Sequence, residues 1–177
     1  MQVVRAIESS IDIKIEHYHK DDFYKIFPFF KLEFPEWTGE QRRNYLEIVT
    51  EKLSGSSGVL LAKNQFGYVL GVLIYSLHSV EADFFSLIKS SKKKINIFAI
   101  ENLISNNNFF QKKIYLSLID GAFNFARELN CMVGEIPSMD EEDMLLVKNK
   151  YALHEINASN SKTNQRTYIN LDAFMTH

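Results

Sequence analysis

The pattern of hydrophobic and polar positions predicts a strand that is followed at once by a long helix. Residues 94–105 have the composition and alternation of a β-strand. Residues 109–129 carry apolar side chains at the spacing of one helical face, so they predict an amphipathic helix. Asn108 and Gln111 suit a capping box at its start, and Asn130 suits the left-handed residue that ends a helix. The strand therefore feeds directly into a helix N-terminus.

The remaining patterns predict a mixed α/β (α+β) fold in a single domain of residues 1–177. Further strands are predicted at residues 11–18, 59–63, 68–77, 131–136, 154–159 and 166–171, and further helices at 38–53 and 140–151. A hairpin turn is predicted at residues 64–67. Gly71 lies inside a predicted strand, where it indicates a bulge or a close approach of another chain segment. The acids of residues 140–143 suit the first turn of a helix better than a metal site.

An aromatic-rich segment follows the first predicted strand. Phe23, Tyr24 and Phe27 suit one face of a short helix. Pro28 and Pro35 are expected to interrupt any long helix, so a packed loop is predicted for the rest of the segment. Its aromatic side chains suit either a hydrophobic core or a ligand pocket.

Composition and charge narrow the class of protein. The chain has 177 residues, a net charge of -2 and one cysteine. A net negative charge does not favour binding to the phosphate backbone of nucleic acid, so we expect no nucleic-acid partner. A single cysteine excludes an internal disulfide and a multi-cysteine metal site. The sequence has no signal-peptide pattern and no apolar run long enough to span a bilayer, which predicts a cytoplasmic protein without membrane contact.

The junction between the central strand and the long helix is a candidate anion site. Amide groups and the positive end of the helix dipole meet there. Lys112 and Lys113 fall in the first helical turn, where a cation opposes the dipole and a bound phosphate would reverse that penalty. The alternative is that both lysines simply solvate the outer face of the helix.

The order of elements resembles the GNAT (Gcn5-related N-acetyltransferase) fold. The resemblance covers nearly the whole chain and is strongest at residues 58–151, including the apolar pairs of the helix tail, residues 118–129. It implies a mixed, mostly antiparallel central sheet flanked by about four helices. It also implies that acetyl-CoA or another acyl-CoA is the co-substrate. In that family the pyrophosphate is held at the helix that follows the central strand.

The resemblance implies a cofactor site in which the family's glycines are missing. The family carries a Gln/Arg-x-x-Gly-x-Gly/Ala loop, whereas this chain has Gln111 but no glycine in residues 111–116. Lysine charge could replace backbone approach to the phosphates. The residues implied to bind the cofactor are Ile104, Ser105, Gln111, Lys112, Lys113, Ile114, Tyr115 and Leu116. Ile104 and Ser105 would pair with the pantetheine arm through their backbone.

Of the family's two catalytic residues, the general base and the general acid, only the base has a clear counterpart in this sequence. Glu101 shares a strand face with apolar residues, and the family often uses a glutamate on this strand as general base. The alternative is a strand-end glutamate that faces solvent across a bulge. The family's tyrosine acid has no counterpart at Leu146 or Lys148. Tyr151 is the nearest substitute, with packing as the alternative, and His154 is a second substitute. The lone cysteine is rejected as a nucleophile because no histidine motif accompanies it.

The sequence therefore predicts an N-acyltransferase, most simply an acetyltransferase, that acts by direct attack of an amine in a ternary complex. A small-molecule or peptide amine would be the acceptor, with Phe29, Phe34 and Trp37 lining its pocket. The alternative is a GNAT-shaped binding module without catalysis. Oligomeric state is left open.

Overall fold

The computed structural model describes residues 11–51, 56–85, 94–105, 110–151, 155–156 and 166–172. The strands within these ranges are β1 Ile13–His17, β2 Ser57–Asn64, β3 Val69–Glu81, β4 Lys94–Ser105, β5 Val133–Ile136, β6 Glu155–Ile156 and β7 Thr167–Asn170. The α-helices within them are α1 Phe23–Glu33, α2 Gly39–Glu51, α3 Gln111–Glu128 and α4 Glu141–Tyr151. Single 3-10 turns form at Lys20–Asp22 and Ala82–Phe84.

The strands form one mixed sheet in the order β1-β2-β3-β4-β5-β7-β6. β1 pairs antiparallel with β2, and β7 pairs antiparallel with both β5 and β6. β4 and β5 run parallel, with Ile97 opposite Val133 and Ala99 opposite Glu135. This architecture confirms the predicted mixed, mostly antiparallel sheet with about four helices.

The chain forms two compact units. The first contains the described residues up to Ile74 together with Asn102–Gly121, and the second contains Tyr75–Glu101 and the described residues from Ala122 onward. The prediction of a single domain stays a prediction.

The hairpin turn between β2 and β3 forms where it was predicted. The Asn64 side-chain oxygen accepts hydrogen bonds from the backbone N–H groups of Phe66 and Tyr68, both at 3.0 Å. Gly67 has a φ of 79°, which a residue with a side chain rarely adopts. Asparagine and glycine thus fix the register of β2 against β3.

Helix α1 corrects the prediction of a loop after Pro28. The helix continues through Pro28 to Glu33. A proline inside a helix costs about 3 kcal/mol because it removes a backbone hydrogen bond. Ile26, Phe29 and Phe30 are at most 5% exposed, and burial of each such side chain stabilises by roughly 1.5–3 kcal/mol. Their combined burial exceeds the proline penalty, so the helix persists.

The hydrophobic core of the first unit is formed by side chains from α1, α2 and the sheet. Its buried members are Tyr18, Ile26, Phe29, Phe30, Leu46, Val49, Val59, Leu61, Val72, Ile74 and Ile104. Gly71 on β3 faces α3, as the predicted close approach requires. A Cβ atom there would lie 2.6 Å from Ile114 Cγ2 and 3.2 Å from the Ile104 carbonyl oxygen.

We expect Gly71→Ala to destabilise the protein by about 1–3 kcal/mol, since an added methyl group overpacks a close contact. Urea denaturation would measure the change. Gly39→Ala is the matched control, because a Cβ atom at Gly39 meets nothing within 4 Å. Alanine also favours the helical backbone there. Equal stability of the two variants would contradict the packing shown at Gly71.

The first unit also holds a buried ion-pair cluster. Asp22 is 3% exposed, and its carboxylate lies 3.1 Å from Lys63 Nζ and 3.0 Å from Lys25 Nζ. Lys63 also reaches Glu16 at 3.0 Å. Burial alone would raise the pKa of Asp22, but the hydrogen bonds from Lys25 and Lys63 outweigh it and hold the pKa below its usual range. For Lys63, hydrogen bonds to Glu16 and Asp22 outweigh burial and raise the pKa.

Because the folded-state pKa of Asp22 is depressed, its pairing contributes stability above the unfolded pKa of about 3.9. That contribution is lost as the pH falls through the folded value. We therefore expect the free energy of unfolding to fall more steeply below pH 4 in the wild type than in Asp22→Asn. Urea denaturation at pH 7, 5 and 3 would show the difference, and parallel curves would contradict it.

The second unit has apolar packing on both faces of its strands. One cluster contains Phe85, Ile95, Ile97, Val133 and Ile156. In a second cluster the Tyr75 ring stacks on the Phe98 ring, with the ring centroids 4.6 Å apart. Both rings meet the Phe125 ring of α3 edge-on.

The predicted helix ends in the second unit are confirmed. α3 ends before Asn130, whose φ of 57° is the expected left-handed conformation. Asp140 caps α4 by accepting a 2.8 Å hydrogen bond from the backbone N–H of Asp143. No group of three or more potential ligands able to hold a metal ion occurs among the described residues. None of the described helices is long and apolar enough to cross a membrane.

Candidate active site

The start of α3 sets the geometry of the candidate anion site in the first unit. The helix begins at Gln111, because the N–H of Ile114 bonds to the carbonyl of Phe110 at 2.9 Å. The predicted start at residue 109 and the predicted cap Asn108 lie outside the described residues. The Gln111 side chain donates to the Tyr115 hydroxyl at 3.3 Å, a contact between successive turns of the helix. Amides of a first helical turn point out of the helix end, as an anion site requires.

The two lysines of this turn differ in their surroundings. Lys112 is exposed at the helix surface. Lys113 donates a 2.7 Å hydrogen bond from Nζ to the carbonyl oxygen of Ile11, just before β1. Lys113 therefore links α3 to the chain segment that precedes β1. Neither the predicted phosphate-binding role nor the alternative solvating role includes this contact.

The next three residues of α3 differ in their burial and contacts. Ile114 is fully buried and packs toward Gly71 on β3. Tyr115 and Leu116 are half-buried, and the Tyr115 hydroxyl is held by Gln111 along the helix side. The Ile114 side chain therefore lies between α3 and β3, and the predicted cofactor-binding role of residues 114–116 stays a prediction.

The end of β4 supplies the other part of the predicted cofactor site. Ile104 is 2% exposed and packs in the core of the first unit, so its side chain cannot contact a ligand. The Ser105 hydroxyl oxygen is buried and has no hydrogen-bond partner among the described residues. Such atoms are uncommon in folded proteins and usually have a partner. This hydroxyl is closed to contact from outside, and the predicted pairing of Ile104 and Ser105 with a pantetheine arm through their backbone stays a prediction.

An aromatic cluster of Phe34, Trp37 and Tyr45 lies between α1 and α2. The Phe34 and Trp37 rings stack at 4.1 Å, and Tyr45 meets both edge-on at 5.6 and 5.4 Å. The Tyr45 hydroxyl donates to the Asn102 side-chain oxygen on β4 at 3.2 Å. All three aromatic residues are partly exposed, which leaves ring surface for a ligand.

Two further observations refine the predicted acceptor pocket. Arg42 is 8% exposed and donates to the carbonyl oxygens of Phe34 at 3.0 Å and Pro35 at 2.9 Å. This arginine fixes the backbone that carries the Phe34 and Trp37 rings. Phe29, in contrast, is 5% exposed within the core, so its predicted place in the pocket is corrected to a packing role.

Glu101 lies on β4 in the second unit with polar rather than purely apolar neighbours. Its Oε1 atom accepts a hydrogen bond from the Ser76 hydroxyl on β3 at 2.5 Å. Its Oε2 atom lies 3.6 Å from Arg166 Nη2. The side chain is 36% exposed, so the carboxylate remains accessible. The expected apolar surroundings are therefore corrected to a hydroxyl and a guanidinium group.

Arg166 also binds a second carboxylate, which pattern analysis of the sequence missed. Its Nη1 atom donates to Oε1 of Glu135 on β5, which is 4% exposed. His78 Nε2 lies 3.7 Å from the other oxygen of this carboxylate. We call Ser76, Glu101, Glu135 and Arg166 the Glu101 cluster. The only sequence feature that could have indicated Glu135 as a site residue is its position as an acidic residue within the otherwise apolar strand β5.

Burial and the charges of the Glu101 cluster shift the pKa values of several groups in the second unit. The hydrogen bond to Glu135 raises the pKa of Arg166 and outweighs burial, so the guanidinium stays charged. Burial, together with the charge of Glu135, raises the pKa of Tyr168. Burial raises the pKa of the Cys131 thiol to about 11, consistent with a thiol that is inert at neutral pH.

Tyr151, the predicted substitute acid, lies in the core of the second unit. It is 2% exposed, and its ring meets Phe123 edge-on at 5.5 Å. This burial favours the packing role over proton donation to a substrate. His154 lies outside the described residues.

Comparison with solved structures identifies the fold. A GNAT-family acetyltransferase from Staphylococcus aureus Mu50 matches with a TM-score of 0.56 at 17% identity, over 90% of this chain and 99% of that chain. Glucosamine-6-phosphate N-acetyltransferase from Arabidopsis thaliana matches with a TM-score of 0.58 at 12% identity, over 85% and 99% of the two chains. The aminoglycoside N-acetyltransferase AAC(6')-Iy, in complex with the bisubstrate analogue CoA-S-monomethyl-acetylneamine, gives 0.58 at 14% identity over 78% and 88%.

The chain therefore has the GNAT fold, as the order of its predicted elements indicated. Neither a protein-family model nor a curated protein matches the sequence. At these identities the likeness establishes the fold alone, and activity has to be argued from the residues.

Proposed function

We propose that this protein is an acyl-CoA-dependent N-acyltransferase that transfers an acyl group, most simply acetyl, to a primary amine by direct attack in a ternary complex. The observation that carries the proposal is the Glu101 carboxylate. It lies on the central strand of a GNAT fold, is 36% exposed, and has a defined partner at each oxygen. A carboxylate so held can accept a proton from a bound ammonium group.

The first unit carries the residues that would hold the cofactor. The first turn of α3 would bind the pyrophosphate through its amides, assisted by Gln111 and the exposed Lys112. The backbone of Ile104 and Ser105 at the end of β4 would pair with the pantetheine arm. Bound acyl-CoA supplies the activated acyl group as a thioester. Lys113, which is held by Ile11, would contribute its charge near the helix end rather than a direct contact.

Glu101 would act as the general base on the acceptor. An amine is protonated at neutral pH and attacks only after it loses a proton. The ammonium N–H bond would break, a Glu101 O–H bond would form, and the nitrogen would keep the electron pair. A carboxylate has about four lone-pair sites, so the contacts to Ser76 and Arg166 leave room for the ammonium group.

The acceptor would be a cationic small-molecule or peptide amine. The Phe34, Trp37 and Tyr45 rings present π-faces that attract ammonium groups. The matched structures support an amine acceptor, because they include enzymes that are named for aminoglycoside and glucosamine-6-phosphate substrates. The cytoplasmic location and the absence of nucleic-acid partners stay predictions.

A GNAT-shaped binding module without catalysis is the second candidate. Burial of Tyr151 favours it, since this removes the predicted proton donor to the leaving thiolate. Such a module would bind CoA or a partner protein without releasing thiol.

An assay of thiol release from acetyl-CoA tests the proposal. We expect release that depends on an added primary amine when a panel of aminoglycosides, amino sugars, polyamines and lysine peptides is screened. Mass spectrometry should show one acyl group added to the active amine. Binding of acetyl-CoA without thiol release for any acceptor would favour the binding module.

A further inference from the structure

Glu135 is a buried charge on an otherwise apolar strand. It is 4% exposed, and the other three residues of β5 are buried as well. A buried carboxylate is costly unless it is paired and hydrogen-bonded. Arg166 provides that pairing through Nη1, and the hydrogen bond raises the pKa of the guanidinium. The position of Arg166 is therefore fixed by a partner that cannot readily release it.

The same guanidinium faces Glu101 with its other terminal nitrogen. Arg166 Nη2 lies 3.6 Å from Glu101 Oε2, while Ser76 donates to Oε1. A positive charge at this distance attracts the carboxylate and restrains its position. Among the described residues, His78 on β3 lies 3.7 Å from Glu135, and Tyr168 on β7 lies opposite Glu135 in the sheet.

We propose that Arg166 is a positioning residue, which Glu135 anchors and which fixes the orientation of the Glu101 carboxylate. The catalytic meaning of this role rests on the proposed function, in which Glu101 accepts the proton of the acceptor. Arg166 exchanges no proton itself, because its guanidinium stays charged. Ser76 holds one oxygen of Glu101 and Arg166 holds the other, so the remaining lone pairs have a set direction.

The test compares Arg166→Gln with Arg166→Lys in two measurements. In steady-state kinetics at one pH, we expect Arg166→Gln to lower kcat by about tenfold or more while KM for acetyl-CoA stays near the wild-type value, because a misplaced carboxylate slows the transfer and leaves cofactor binding intact. Arg166→Lys should restore most of kcat. The carboxyl-carbon NMR signal of Glu101, recorded at the same pH without substrate, should be shifted in Arg166→Gln and lie closer to wild type in Arg166→Lys. Arg43→Gln removes an exposed arginine of α2 and is the matched control.

Arg166→Gln leaves Glu135 buried without its partner and could fail to fold. The double variant Glu135→Gln, Arg166→Gln removes both buried charges and keeps the test possible. It should show the same shift of the Glu101 signal, because Glu101 still lacks its cation.

The outcomes separate this proposal from the proposed function. A lowered kcat that Arg166→Lys restores and a shifted Glu101 signal, with the Arg43→Gln values equal to wild type, would support the role of Arg166. An unshifted Glu101 signal in both Arg166→Gln and the double variant would overturn it, even if turnover falls. A wild type that acylates no amine would overturn the proposed function. The NMR comparison would then still decide whether Arg166 controls Glu101.

Discussion

Glu101→Gln is expected to lower kcat/KM at neutral pH by roughly 10²- to 10⁴-fold, the usual contribution of a general base. The glutamine keeps the shape of the side chain and can still accept the hydrogen bond from Ser76. It cannot accept a proton from an ammonium group. The residual rate should rise with pH as free amine forms in solution.

Glu128→Gln is the matched control, because Glu128 is an exposed glutamate at the end of α3. We expect it to leave turnover within twofold of wild type. Affinity for acetyl-CoA should be similar in all three proteins. Undiminished turnover in Glu101→Gln with an unchanged pH profile would contradict the role of Glu101.

Asp22→Ala is expected to lower the free energy of unfolding by up to about 3 kcal/mol, because it removes the buried counter-charge of Lys63. Lys63 is 8% exposed and would keep only Glu16, whose side chain is 48% exposed. Urea denaturation at pH 7 gives the value directly. The wild-type pairing is complete at that pH because the folded-state pKa of Asp22 is depressed.

Two further variants show whether the effect comes from the unpaired charge. Asp12→Ala removes an exposed aspartate near β1 and should change stability by less than about 0.5 kcal/mol. Asp22→Leu with Lys63→Met replaces the buried pair by apolar side chains and should recover much of the lost stability. A loss in Asp22→Ala no larger than that in Asp12→Ala would contradict the buried cluster.

The sequence predicted the fold well because its strongest signals coincide with buried faces. The predicted strand at residues 94–105 is β4 with the same bounds. α3 carries its apolar stripe into the core, where Ile114, Leu118 and Ala122 are fully buried. In each case one periodicity dominates the segment, so local pattern and tertiary burial agree.

Helix α1 was mispredicted because local and tertiary effects conflict there. Pro28 argues for a break, and only the burial of Phe29 and Phe30 against the sheet overrides it. Such burial depends on elements far along the chain, which a local pattern does not report. The contact of Lys113 with Ile11 has the same origin, since the two residues are 102 positions apart.

The candidate site was only partly predictable for a related reason. Glu101 was found because strand alternation places it on one face of β4. Glu135 and Arg166 are 31 positions apart, and Arg166 lies just before β7, where no periodicity marks it. Their pairing depends on β7 lying beside β5 in the sheet. Pattern analysis assigns side chains to faces, whereas partners across strands require the strand order.

Calorimetric titration with acetyl-CoA tests the central claim most directly. We expect micromolar binding that weakens several-fold in Lys112→Ala and at higher salt, because Lys112 would add charge at the phosphate end of the site. Lys14→Ala, which removes an exposed lysine of β1, should bind as wild type does. If neither acetyl-CoA nor free CoA produces binding heat at any accessible concentration, the acyltransferase account is contradicted.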